Sequence, residues 1–125
     1  MTVPGVEVRT SPISGRGVFA RRPFRKGQVV IAWDITHRVL REQIDSLSAE
    51  QREWLAPYDE KWLILMQPPA CYVNHSCTAN TAPCNFCDVA TRDIALGEEI
   101  TSDYRLLGTK PAFECHCGAA NCMSR

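Results

Sequence analysis

Three short segments restrict the fold of this chain more than any other feature of its sequence. The first is Ser-Pro-Ile-Ser-Gly-Arg-Gly-Val-Phe-Ala at residues 11–20. The second is Asn-His-Ser-Cys at residues 74–77, and the third is Gly-Glu-Glu-Ile-Thr-Ser-Asp-Tyr at residues 97–104. They supply a glycine-containing turn, a polar pair beside a thiol, and a tyrosine beside a carboxylate. Their order and spacing form a signature specific enough to predict a fold and a function.

This signature resembles that of the SET-domain lysine methyltransferases, and the resemblance covers residues 6–122, with residues 35–69 the least diagnostic. It implies a mainly β fold of small twisted sheets with a short helical insert. In this family a C-terminal segment threads under a loop, which is an exception to the usual rule for connections. The resemblance divides the chain into a SET domain, residues 1–108, and a post-SET zinc-binding tail, residues 109–125, within one compact unit. It also implies that the second and third segments meet at one site.

Local patterns independently predict several short strands with one helical interruption. The predicted strands cover residues 6–9, 18–20, 29–35, 61–67 and 85–94. The spacing of apolar residues between positions 38 and 55 predicts the main helical insert. Within it, Ser48 and Gln51 have the spacing of a capping box, which places the start of a short helix at Ser48.

Length and charge exclude several classes of protein. A chain of 125 residues, 45% of them hydrophobic, suits a single domain with a modest core. Lys and Arg total 14, as do Asp and Glu, so neither nucleic acid nor a membrane surface is expected to bind through bulk charge. The basic cluster at residues 21–26 could dock an acidic partner or form a solvated surface. No run approaches the roughly 18 apolar residues of a membrane span, and no export signal begins the chain.

The chain is therefore predicted to be soluble and intracellular, cytoplasmic if bacterial and nuclear if viral or eukaryotic. The cysteine-rich segment that precedes many eukaryotic SET domains is absent from the sequence, as is an appended reader domain. In this respect the chain resembles small stand-alone SET proteins of bacteria or viruses. The target protein and the oligomeric state are not predicted.

The resemblance implies methyl transfer from S-adenosylmethionine to the side-chain amine of a lysine in a protein or peptide. A free lysine has a pKa near ~10.4, so the reacting amine must lose its proton and its solvent. Alignment of the reactants can lower the barrier by roughly 7 to 11 kcal/mol. Tyr104 is the predicted catalytic residue, because the tyrosine of the family's Asp-Tyr motif points its hydroxyl at the reacting centre and borders the cofactor.

Six further residues are predicted to form the cofactor site. Gly15 and Gly17 lack a Cβ, so their backbone can approach a ligand and adopt positive φ. Arg16 could pair with the cofactor carboxylate or remain solvated. The polar groups of Asn74 and His75 suit either an adenine edge or that carboxylate. Phe113, by resemblance, lies over the cofactor and lysine channel.

Cysteine usage favours a metal site over disulfides. The chain has seven cysteines, an odd number, with no export signal and none before Cys71. Three of them, Cys115, Cys117 and Cys122, lie in the tail and match the family's zinc-binding pattern. The resemblance supplies Cys77 as the fourth ligand of a closed, structural site.

An alternative zinc site pairs Cys84 and Cys87, which have a common metal-ligand spacing, with two tail cysteines. If Cys77 and the three tail cysteines bind the zinc, Cys84 and Cys87 have a structural or free-thiol role. The role of Cys71 is not predicted.

Two positions depart from the family pattern. Ser102 stands where Phe or Tyr is usual and influences how many methyl groups fit, so the product state is not predicted; Tyr58, Tyr72 or Trp62 could fill the space. Ala79 replaces the usual proline before Asn80, which is interpreted as structural support.

The altered Ser102 mildly supports a second hypothesis, a catalytically weak SET module that acts as a scaffold. A third, a zinc-dependent nucleic-acid binder, is disfavoured by the neutral charge.

Overall fold

The computed structural model describes residues 5–106, and within that range the protein is mainly β, as predicted. Its strands, in chain order, are β1 (Val6–Thr10), β2 (Arg16–Ala20), β3 (Val29–Ala32), β4 (Arg38–Leu40), β5 (Leu55–Pro57), β6 (Trp62–Leu65), β7 (Asn74–His75), β8 (Thr81–Cys84), β9 (Cys87–Ala90) and β10 (Glu99–Ser102). The predicted threaded C-terminal segment and the tail from residue 107 onward lie outside the described residues.

The described strands form two sheets. In the larger sheet the order is β1, β2, β10, β8, β9, β3, with β7 also paired to β10. The smaller sheet has the order β4, β6, β5. Strands β1 and β2 form an antiparallel hairpin around the turn that contains Gly15, and β10 runs antiparallel to β2. The turn and the C-terminal end of β10 therefore lie at the same end of the larger sheet.

The core lies where β1, β2 and β10 bury their apolar side chains. Val18 on β2 pairs with Ile100 on β10, and both side chains are fully buried. Val6 pairs with Ala20 on the same face. Fully burying a Val or Ile side chain stabilises a protein by about 1.5–3 kcal/mol, so this face fixes the register of the strands that carry the site.

The predicted helix start is confirmed. α1 (Ala49–Glu53) has Ser48 as its N-cap, whose Oγ accepts a 3.1 Å hydrogen bond from the Gln51 amide. The Gln51 side chain in turn accepts a 3.0 Å bond from the Ser48 amide. Short 3₁₀ turns cover Arg41–Ser46, Ala70–Tyr72 and Tyr104–Leu106. Within the part of the chain that is described, no helix is long and apolar enough to cross a membrane.

Several predicted boundaries were wrong. The insert is only partly helical, because Arg38–Leu40 and Leu55–Pro57 pair with the two sides of β6. β3 ends at Ala32, three residues before the predicted end. The predicted strand at residues 85–94 is shorter, because Asn85 and Phe86 both have positive φ and form the turn between β8 and β9. Strands β4, β5, β7, β8 and β10 were not predicted.

Candidate active site

The second and third sequence segments meet through a parallel strand pair. Thr101 lies opposite Asn74, and Ser102 lies opposite His75. The amide of Ser76 donates a 3.0 Å hydrogen bond to the carbonyl of Ser102. The register of β7 against β10 therefore brings the polar residues of one segment beside the Asp-Tyr pair of the other.

His75 is a buried imidazole whose two ring nitrogens both have partners. Nδ1 accepts a 3.0 Å hydrogen bond from the amide of Tyr104, and Nε2 lies 3.2 Å from Sγ of Cys77. Burial lowers the pKa of His75, although the carboxylate of Asp103 acts in the opposite direction. Because Nδ1 accepts an N–H, the neutral ring carries its proton on Nε2 and directs it toward the Cys77 sulfur.

Tyr104 follows β10 on a 3₁₀ turn and directs its side chain back toward β7. Its hydroxyl donates a 2.7 Å hydrogen bond to the carbonyl of Val73, and its ring centroid lies 5.3 Å from that of His75. Burial, together with the negative charges of Glu53 and Asp88, raises the pKa of Tyr104. The hydroxyl is therefore neutral near pH 7. With its proton committed to Val73, its oxygen lone pairs can accept a hydrogen bond.

Asp103 is held beside the site by its neighbour Arg105. The guanidinium of Arg105 contacts both carboxylate oxygens, at 2.8 and 2.6 Å, and the Arg105 amide donates a further 3.0 Å bond. The side-chain hydrogen bonds from Arg105 hold the pKa of Asp103 below its usual range. This fork fixes the start of the 3₁₀ turn on which Tyr104 lies.

The turn at residues 14–17, here called the glycine turn, lies against β7. Gly15 has a φ of +44°, and no described atom lies within 4 Å of the place a Cβ would occupy. The side-chain amide of Asn74 donates to the carbonyls of Ser14, at 3.1 Å, and Arg16, at 3.0 Å. The structure thus brings Asn74 together with the turn, and its amide nitrogen contacts protein atoms there.

Glu99 is a residue of this site that the sequence analysis missed. Its carboxylate accepts hydrogen bonds from Ser11 Oγ, at 2.8 and 2.9 Å, and from Asn74 Nδ2, at 3.0 Å. A Cβ on Gly17 would overlap Oε2 of Glu99 and lie 2.8 Å from Cβ of Ser11. Gly17 is therefore required by the carboxylate packed against it. The sequence feature that could have identified Glu99 is its position inside the third segment, residues 97–104.

Arg16 lies over an aromatic ring. Its guanidinium carbon is 5.6 Å from the ring centroid of Tyr72, which in turn makes an edge contact with Trp54 at 5.7 Å. The guanidinium therefore has an aromatic neighbour, but this contact does not distinguish pairing with the cofactor carboxylate from a solvated side chain. Three aromatic residues could fill the space near Ser102. Of these, Tyr72 directly precedes Val73, whose carbonyl accepts the hydrogen bond from the Tyr104 hydroxyl.

The other two aromatic residues that could fill the space near Ser102 lie in different environments. Tyr58 stacks on Phe86, with ring centroids 5.4 Å apart, at the tip of the β8–β9 hairpin. Trp62 begins β6 in the smaller sheet. Ser102 itself is buried between His75 and Thr81, its partners on β7 and β8.

Asn80 is the structural support that the sequence indicated. It is 1% exposed, donates to the Glu99 carbonyl at 2.8 Å and to Glu98 Oε2 at 3.0 Å, and accepts from the Thr101 amide at 2.9 Å. Burial alone raises the pKa of Glu98, but hydrogen bonds from Ala95, Arg92 and Asn80 outweigh it and hold that pKa below the ordinary value. Asn80 therefore fixes the N-terminal half of β10.

The proposed set of zinc ligands lies mostly outside the described residues. Phe113 and three of the four proposed ligands, Cys115, Cys117 and Cys122, lie outside them. Among residues 5–106, no three His, Cys, Asp or Glu side chains are grouped to hold a metal ion. Cys77 is buried beside His75. Cys84 and Cys87 face each other across the Asn85–Phe86 turn without a disulfide.

Comparison with known proteins gives an independent indication of relationship. Residues 15–105 match the SET domain family. The chain is similar to the variant-silencing SET domain-containing protein of Plasmodium falciparum, with 27% identity over 98% of this chain and 6% of that protein. It is also similar to the histone-lysine N-methyltransferase ASHH3 of Arabidopsis thaliana, with 27% identity over 89% of this chain and 35% of that protein.

A third relative is the human histone-lysine N-methyltransferase 2D, with 26% identity over 94% of this chain and 2% of that protein. The chain thus spans a minor part of each of these curated relatives. The match to the family covers the glycine turn, both halves of the β7–β10 junction and Tyr104.

Proposed function

The chain belongs to the SET-domain family, and from this premise we propose that it transfers a methyl group from S-adenosylmethionine to the side-chain amine of a lysine in a protein or peptide. One observation carries the proposal: Tyr104 is held by two hydrogen bonds, from its amide to His75 and from its hydroxyl to Val73. A tyrosine fixed at both ends, at the same end of the sheet as the glycine turn, suits a positioning role in transfer.

The bound cofactor would supply an activated methyl group on a sulfonium. The lysine nitrogen, neutral after losing its proton to solvent, would form the new C–N bond as the C–S bond broke, with the bonding pair left on sulfur. This reaction needs an aligned amine more than a strong base. The raised pKa keeps the Tyr104 hydroxyl protonated near pH 7, so Tyr104 does not act as a base and instead orients the amine through the lone pairs of its hydroxyl oxygen.

The cofactor would be held by the turn of residues 15–17 together with Asn74 and His75. The open space beside Gly15 fits a ligand approaching the backbone there. Asn74 Nδ2 already contacts two turn carbonyls, so its side-chain oxygen and the backbone of β7 are the groups left to recognise the cofactor. Arg16 and Phe113 complete the proposed cofactor site.

A structural zinc, bound by Cys77 and the three tail cysteines, is the second part of the proposal. The buried thiol of Cys77, with an imidazole N–H directed toward its sulfur, supports the assignment, because hydrogen bonds from neighbouring side chains commonly orient metal ligands. The zinc would fasten the post-SET segment of residues 109–125 against the site and take no part in the chemistry.

Titration calorimetry with S-adenosylmethionine and its demethylated product tests the proposal first. Saturable binding of both is expected, and no binding would instead favour the scaffold hypothesis. Methylation of a cell lysate or peptide array should then show incorporation that Tyr104→Phe lowers on the order of 10²-fold, the usual effect of losing one positioned polar group. Tyr58→Phe is the matched control, because Tyr58 stacks on Phe86 in a different part of the fold.

Metal analysis tests the zinc separately. One zinc per chain is expected, and Cys77→Ser should lose it while Cys84→Ser retains it. The opposite pattern would favour the site that uses Cys84 and Cys87. Mass spectrometry of the methylated product would identify the target lysine and the number of methyl groups added.

A further inference from the structure

The carboxylate of Glu99 is bound by neutral donors on two different elements. Ser11, at the end of β1, donates its hydroxyl to both carboxylate oxygens, and Asn74, on β7, donates its amide. Within residues 5–106, no Lys, Arg or His forms a salt bridge with Glu99. Its charge is therefore balanced by hydrogen bonds, which are stronger to an ionised acceptor than to a neutral one.

Both donors also hold the glycine turn. The amide of Ser11 donates a 2.8 Å bond to the carbonyl of Gly15, and its Oγ accepts a 3.0 Å bond from the amide of Ile13. Asn74 donates to the carbonyls of Ser14 and Arg16. One carboxylate thus accepts hydrogen bonds from the side chains of two residues that each also bond to the turn or to the segment leading into it.

The third contact is steric. Gly17 leaves the space that the Glu99 carboxylate occupies against the backbone of β2. Because Glu99 also lies on β10, three residues before Ser102, it couples the position of the turn to the strand that leads to Tyr104. The negative charge of Glu99 also contributes to raising the pKa of Tyr104.

We propose that Glu99 and Ser11 are positioning residues that set the geometry of the cofactor-binding turn at residues 14–17, acting through Asn74 and the turn carbonyls. This inference rests on the proposed function, because it assigns the turn to the cofactor. Neither residue is required to touch the cofactor. The carboxylate instead holds the turn in a binding-ready conformation before the cofactor arrives.

Glu98 supplies a matched control for Glu99. It is the adjacent glutamate and also accepts several hydrogen bonds, but its partners are Asn80, Arg92 and the Ala95 amide rather than residues that hold the turn. Loss of either carboxylate should reduce stability, but only loss of Glu99 should affect the turn. Glu99→Gln retains a carbonyl acceptor for Asn74 and should be an intermediate rescue.

Two measurements test the inference in the full chain. Amide hydrogen exchange without cofactor should accelerate about 10-fold or more at residues 14–17 in Glu99→Ala, the effect of losing one hydrogen bond to a charged group. Glu98→Ala should show no such local acceleration beyond its global change in stability. In titrations corrected for the folded fraction, Glu99→Ala should weaken S-adenosylmethionine binding about 10-fold, Ser11→Ala by less, and Glu98→Ala by less than about 2-fold.

The outcomes separate this inference from the proposed function. Unchanged exchange at residues 14–17 in both Glu99→Ala and Ser11→Ala overturns the inference, whether or not the cofactor binds. Faster exchange with unchanged cofactor affinity reduces Glu99 to a structural role and overturns it as well. If the wild-type protein binds no cofactor, the proposed function fails, while the exchange data still decide whether Glu99 orders the turn. If Glu99→Ala does not fold, Ser11→Ala and Glu99→Gln carry the same comparison.

Discussion

The backbone amide of Tyr104 donates a 3.0 Å hydrogen bond to Nδ1 of His75, across 29 residues of sequence. The bond requires a neutral imidazole with its proton on Nε2, which burial favours by lowering the pKa of His75. The orientation of the proposed catalytic tyrosine therefore depends on the tautomer of a histidine on the neighbouring strand.

Replacing this acceptor should loosen Tyr104. His75→Phe keeps an aromatic ring but leaves the Tyr104 amide unpaired in a largely buried place, at a cost of about 1–3 kcal/mol in the free energy of unfolding. Urea denaturation measures this cost. His37→Phe, at an exposed position before β4, is the control and should change the free energy by less than about 0.5 kcal/mol. Equal effects of the two substitutions would contradict the role of His75.

The two glycines of the turn should respond differently to alanine. Gly15→Ala forces a side chain into positive φ and should cost about 1–2 kcal/mol through backbone strain alone. Gly17→Ala places a Cβ against Glu99 and Ser11, so about 1–3 kcal/mol of overpacking is expected.

Energetic coupling to Glu99 distinguishes backbone strain at Gly15 from overpacking at Gly17. In a Glu99→Ala background, Gly17→Ala should lose the part of its cost that comes from the carboxylate, while the contact with Cβ of Ser11 remains and the cost of Gly15→Ala should be unchanged. A double-mutant cycle on the free energy of unfolding measures the interaction. Additive effects of Gly17→Ala and Glu99→Ala would show that the overlap is relieved by another route.

Asn80→Asp should be severely destabilising despite the near-identical shape of the side chain. The substitution replaces an amide donor by a carboxylate oxygen beside Glu98 Oε2 and the Glu99 carbonyl, now 3.0 and 2.8 Å from Nδ2. Two buried hydrogen bonds are lost and a like charge is added, so about 3 kcal/mol or more is expected. Asn85→Asp, in the exposed hairpin turn where Asp tolerates positive φ, should cost less than about 0.5 kcal/mol. Thermal and urea unfolding of both variants provide the comparison.

Glu98 should contribute to acid unfolding. Its pKa is lower in the folded protein than the ordinary value of 4.5, because hydrogen bonds from Ala95, Arg92 and Asn80 outweigh the effect of burial. The unfolded chain therefore binds more protons in this range, and stability rises with pH. The contribution of Glu98 is present above about pH 4.5 and is lost as the pH falls through the lowered folded value.

Glu98→Gln should accordingly flatten the dependence of stability on pH below about pH 5. Urea unfolding at a series of pH values would show this change of slope. Glu42→Gln removes a carboxylate from an exposed 3₁₀ turn and is the charge-matched control. A Glu98→Gln curve parallel to that of the wild-type protein would contradict the assignment.

Local chemistry made part of the fold predictable. The Ser48–Gln51 capping box predicted the start of α1 because all of its bonds form within one helical turn. By contrast, residues 38–40 and 55–57 carry apolar residues at spacings that suit a helix, and they become strands because β6 lies between them. Asn74 and His75 have little intrinsic preference for a strand and adopt one only because β10 pairs with them.

The candidate site likewise contains residues that the sequence identified and one that it did not. The motif residues His75 and Tyr104 were identified by resemblance, and their hydrogen bond agrees with one shared site. Glu99 was missed because its partner Ser11 is 88 residues away, and no local pattern encodes such a contact. Residue spacing can identify which side chains belong to a motif, but the hydrogen bonds among them depend on strand register.

The Tyr104 hydroxyl is anchored by the main-chain carbonyl of Val73 rather than by a side chain. Because Val73 is also part of the buried core, another apolar β-branched side chain would leave the carbonyl in place. One residue inserted between the Ala70–Tyr72 turn and β7 would instead rotate that carbonyl away. For protein engineering, this makes the length of that connection a stricter constraint on the position of the Tyr104 hydroxyl than its composition.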